Sequence, residues 1–153
     1  MGRTIDERWV LRTPEEMAEE VMVCWGERFL MVLDDLLHLP GEGPIIAEGA
    51  GLFPHLVAPL LGSPRSAVWL VGAPGFIEQV RSTRGMSVAD ADHIGDRARA
   101  FRNIIERDWS IAAQVQQQAE EGGLSVIEVN SQTVEQLPAI VERRLESWLT
   151  TIV

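Results

Sequence analysis

The apolar residues between Thr13 and Pro40 keep one helical rhythm. Met17, Val21, Cys24, Trp25, Phe29, Val32, Leu33 and Leu36 recur mostly three or four positions apart, so they share a face that is expected to be core. The helix is expected to start behind Thr13-Pro14-Glu15-Glu16: Thr13 caps, Pro14 suits the first helical position and Glu16 closes a capping box. Pro40 and Gly41 end the pattern. Three short apolar runs come next, at 44–47, 67–71 and 124–129, each followed by a polar or glycine-bearing turn and then a helical pattern. Nearly continuous apolar runs separated by helix-length segments predict a parallel sheet of about three strands with helices on both faces, an α/β fold.

The spacing further predicts a helix over 74–83 and a longer one over 96–121 that stops at Gly122-Gly123. Between them, RGMSVADADHIG at 84–95 is polar and weakly periodic, the composition of a lid-like flap. A turn is expected at 130–133. Leu137, Ile140, Val141, Leu145, Trp148, Leu149 and Ile152 then mark a terminal amphipathic helix, expected to dock on the fold or on another subunit. Gly/Pro clusters at 40–44, 49–54, 62–64 and 72–75 separate short elements rather than domains, so residues 1–153 read as one domain.

Charge narrows the range of functions. A formal net charge of −10 disfavours nucleic acid and anionic membrane surfaces, leaving small ligands and protein partners. All thirteen basic residues are arginine, which removes Schiff bases, lysine general bases and the phosphate-loop ammonium. The lone Cys24 permits no internal disulfide and reads as a buried structural thiol in a reducing compartment. The N-terminus lacks the apolar core of a signal peptide and no run is long enough to span a bilayer, so a cytoplasmic location is expected.

Local motifs yield few chemistries. Glu48-Gly49-Ala50-Gly51 invites a dinucleotide reading, but Pro54 stands where the third glycine of GxGxxG belongs, leaving a tight strand-to-helix turn. Glu48 is the candidate catalytic or ligand-binding acid, because the carboxyl end of a parallel strand is where ligands sit in such sheets. Asp90 to Asp96 superficially follows a calcium loop, but Ile94 and Phe101 occupy ligand positions, so no metal is expected. Six arginines gather between Arg81 and Arg107. Arg81 and Arg84, at the entrance to the flap, are the candidates for a small phosphorylated ligand, with a solvated helical face as the plainer explanation. No GxSxG nucleophile elbow is present, and His38, His55 and His93 show no metal-protease spacing.

DERWVLRTPEEM, IIAEGAGLFPHLVAPLL, AVWLVGAPGFIEQVRSTRG and VIEVNSQTVEQL together resemble P-loop kinases of the nucleoside and nucleotide kinase kind, over most of the chain. The resemblance implies a strand-end acid at Glu48 facing substrate or magnesium, and lid arginines at Arg81 and Arg84. It departs from the family at the strand, GxxxxGK[ST] loop and helix with which such kinases open, which have no counterpart here. Hence two functions are expected. One is a degenerate, truncated kinase-like binding or assembly domain without ATP chemistry. The other is the C-terminal part of a small-molecule kinase, with Mg-ATP as cofactor only if a phosphate-binding segment is supplied. In the family the phosphate-loop strand would lie between 44–47 and 67–71. Without it those runs are expected to pair directly, with residues 8–13 as a substitute strand or a second subunit as the other ways of closing the gap, and a homodimer is favoured.

Overall fold

The computed structural model describes residues 3–41, 43, 45–85, 93–131 and 133–149. Two capping boxes organise its start. Thr4 accepts from the Glu7 amide to open α1 (Ile5–Trp9), and Thr13 accepts from the Glu16 amide at 3.2 Å while Glu16 Oε2 takes the Thr13 amide at 2.9 Å to open α2 (Pro14–Leu37). These pairs satisfy donors that the first helical turn leaves free. The anticipated start, apolar face and end of α2 are all observed: Met17 and Phe29 are buried, while Val21, Cys24, Trp25, Val32, Leu33 and Leu36 are half-buried.

The short helix α3 (Pro54–Val57) follows, then 3-10 turns at Ala58–Leu60 and Pro64–Ser66, strand β1 (Val68–Gly72) and helix α4 (Pro74–Arg84). Helix α5 (Arg97–Glu121) begins at the expected cap, with Asp96 Oδ1 accepting from the Arg99 amide at 3.0 Å. It stops at Gly122, and Gly123 follows at φ +62, a left-handed conformation that glycine adopts without Cβ strain. Strand β2 (Ser125–Val129), the turn from Asn130 to Thr133, a 3-10 turn at Val134–Gln136 and α6 (Leu137–Leu149) complete the described order.

The sheet is parallel, as anticipated, but has two strands among the described residues rather than three. Val68 lies opposite Ser125 and Gly72 opposite Val129. In this register Trp69 and Val71 point to one face and Ile127 and Val129 to the other, and all four are buried. The missing strand is the 44–47 run: residues 45–47 have no strand conformation and are exposed, with Ile46 at 86%. Apolar composition did not suffice, because a strand forms only where a neighbour takes up its amides and carbonyls. Direct pairing of this run with β1 does not occur. Nor do residues 8–13 form a substitute strand, since Arg8 and Trp9 end α1 and a turn leads on to Thr13.

Helix α5 is the spine, packing against α1, α2, α3, α4 and both strands. It buries Ala100, Ile104, Ile105 and Ala119, and the two fully enclosed alanines allow neighbouring elements to approach closely. Asn103, also buried, donates through Nδ2 towards the carbonyls of Trp9, Val10 and Arg12 at 3.1, 3.3 and 3.2 Å. One amide thereby satisfies the backbone that leaves α1, while Val10, Ile94 and Ala100 pack into a small core beside it. Among the described residues, no helix is long and apolar enough to cross a membrane.

Candidate functional site

The expected site residues do not form one cluster. Glu48 is exposed in the irregular 45–49 segment, so it stands at the end of no strand, and the strand-end placement anticipated for it is corrected. Gly49 accepts from the Leu52 amide at 3.2 Å in the turn that leads to buried Phe53 and Pro54. Gly51 has a packing role: a Cβ added there would lie 2.5 Å from Cε3 of Trp25 on α2. Its lack of a side chain makes room for an indole rather than a phosphate. Trp69 Nε1 donates to the Leu52 carbonyl at 2.8 Å and ties this loop to β1.

Arg81 and Arg84 both lie in the last turn of α4. Arg81 Nε donates to Asp108 Oδ2 at 2.5 Å, and the other Asp108 oxygen takes Nε and Nη2 of Arg107 at 2.9 and 2.7 Å. One largely enclosed carboxylate thus links α4 to α5 and carries two guanidinium groups, a local excess of positive charge. Arg107 also lies over the Trp9 ring at 5.5 Å, a cation–π contact that fixes its plane. Arg84 is exposed and has no ion pair among the described residues. Asp108 had no signal in the sequence, since 27 residues separate it from Arg81.

The lid-like segment 84–95 falls mostly outside the described residues, as do residues 90–92 of the calcium-like Asp90–Asp96 stretch. Its described end is anchored: Ile94 is buried in the core beside Val10, and the Gly95 amide donates to Asp6 Oδ1 at 2.9 Å. Cys24 is half-buried and free.

Among the described residues, two carboxylates have shifted acidity. Glu20 is held below the usual glutamate range, first by its hydrogen bond from Arg12 and then by that from Arg3. Glu7 is lowered chiefly by the Thr4 backbone amide of its capping box. Both belong to helix entry rather than to a catalytic centre.

The most extensive unexplained feature is apolar surface. Val23, Leu30, Met31 and Leu37 of α2 face solvent, and so do Ile45, Ile46, Leu60 and half of Leu70. The signal for the α2 set lay within the same helix: Val23, Leu30 and Leu37 are seven residues apart and were left over once the core face had been filled. No family model matches the chain, and neither the curated proteins nor the solved structures yield a match.

Proposed function

We propose that this chain is a binding or assembly domain with no autonomous ATP chemistry, a degenerate relative of P-loop kinases that keeps an arginine-lined site for a small anionic or phosphorylated ligand. The observation that carries the reading is apolar surface left beside a strand that is paired on one side only among the described residues: Leu70 of β1 is 49% exposed, and Ile45 and Ile46 belong to no strand. Open strand edges and contiguous exposed apolar residues are where protein chains associate, and a second copy covering them is the simplest assembly. The absence of lysine supports the lack of phosphate-loop chemistry.

Sedimentation equilibrium tests the assembly. The chain should show a concentration-dependent mass that Ile46→Asp with Leu70→Lys returns to the monomer value, and a monomer at every concentration would remove the homodimer. Calorimetry should show no heat with Mg-ATP, and tight binding would overturn the reading. For the anion site, replacing Arg81 and Arg84 together by glutamine should abolish any thermal shift given by inorganic phosphate, and an unchanged shift would discard those residues.

A second reading takes support from the same unpaired run. Residues 45–47 without a strand partner and β1 with a free edge leave room for one more parallel strand, as a strand, phosphate loop and helix unit would supply it. The chain would then be the acceptor and lid part of a small-molecule kinase. Intact mass from the native cells decides: a form longer by about 30 residues or more favours the kinase, and a mass near 17.0 kDa favours the binding domain.

A further inference from the structure

The outer side of α2 carries Val23, Leu30 and Leu37, exposed by 55%, 72% and 84%, turned on the order of 100° around the helix from buried Ala18 and Phe29. Residues seven apart stay nearly in line along a helix, drifting by about 20° per interval. Gly26 and half-buried Leu33 fill the alternate positions three residues on, so the series is a short heptad seam of the kind that accepts a second helix. Among the described residues, a Cβ added at Gly26, in the middle of the seam, would have no atom within 4 Å.

The border of this seam is acidic. Glu27 and Asp34 each follow a seam residue by four positions, so they line its solvent edge, and Glu20 continues the row one heptad earlier. Arg3 and Arg12 neutralise Glu20, and His38 lies 3.5 Å from Asp34. Glu27 has no ion pair among the described residues. The only basic residue of the helix, Arg28, points away and lies 5.5 Å over the Trp25 ring. A second copy laid antiparallel on the seam would set Glu27 and Asp34 against the same acidic row, and like charges in register oppose association.

We infer that the outer face of α2 docks a basic amphipathic helix of a different protein, with leucine-like side chains at heptad spacing over Val23, Leu30 and Leu37 and a row of arginine or lysine against Glu27 and Asp34. The inference rests on the binding-domain reading and names a partner class for a surface separate from the edge of β1.

The test uses the full chain and two fluorescein-labelled synthetic peptides of three heptads, leucine at the seam positions, one with arginine and one with glutamate along the flank. Anisotropy should show the arginine peptide binding at least about tenfold more tightly. Leu30→Arg should abolish that binding, and Glu27→Arg with Asp34→Arg should invert the preference. All three positions are exposed, so circular dichroism melts should be unchanged. Equal affinity for the two peptides, no binding of either, or dimerisation that Leu30→Arg dissolves would each overturn the inference. Absent peptide binding alongside self-assembly sensitive to Ile46→Asp and Leu70→Lys would sink it while leaving the binding-domain reading intact.

Discussion

Helices α2 and α5 have nearly equal lengths, 24 and 25 residues, and opposite relations to the rest of the molecule. Helix α5 is packed by elements on several sides and spends its apolar residues on them. Helix α2 meets α5 along one face and leaves a second apolar row in water. A helix needs about one apolar stripe to join a core. The spine of the fold can therefore be told from the helix that keeps surface in reserve by asking whether the apolar residues exceed one stripe.

That contrast breaks first, and with the largest effect, if paired truncations behave alike. Ile104→Ala in α5 should cost about 2–5 kcal/mol of unfolding free energy because it opens a cavity among packed neighbours, whereas Leu30→Ala in α2 should stay within about 0.5 kcal/mol of wild type. Urea denaturation of both variants measures the difference, and equal losses would mean that the α2 row is covered within this chain.

A sharper version concerns what α5 does beyond apolar packing. Asn103→Ala leaves three carbonyls at the end of α1 without their shared donor, with an expected loss of about 1–3 kcal/mol. Hydrogen exchange should rise at the amides between α1 and α2 more than within α4; uniform exchange would place the damage elsewhere. On the α2 side, Gly51→Ala drives a methyl group into Trp25 and should cost about 1–3 kcal/mol, with a change in tryptophan fluorescence. An undisturbed variant would remove the packing explanation for that glycine.

The smallest effect is a pH dependence at the entry to α2. Arginine pairing lowers the pKa of Glu20 in the folded state, so its contribution is present above the ordinary unfolded glutamate value and fades as pH falls from there through the folded value. The stability gap between wild type and Glu20→Gln should thus be widest near neutral pH and close on acidification. It should be small, because the pair is exposed and screened. A gap that widens in acid would reverse the assigned cause.

Much of the local structure was legible because its causes are local. Thr13 with Glu16, Asp96 and Gly122-Gly123 mark helix ends through hydrogen bonds within a few residues, and the three- and four-residue rhythm of α2 marks its inner face. The site was far less legible. Arg81 was visible as a candidate, but its partner Asp108 is brought to it only by the packing of α4 on α5.

The sequence by itself determined the four longer helices, two of the three strands it suggested, the acidic charge and the lack of lysine, because propensity, capping and composition act over one or two turns. Only the tertiary structure decided which apolar residues are core, since burial requires a neighbour. Ile127 found one, whereas Ile46 and Leu30, equally apolar, did not. It also decided that Glu48 ends no strand, because strand conformation depends on a hydrogen-bonding partner that the 45–47 run does not have among the described residues.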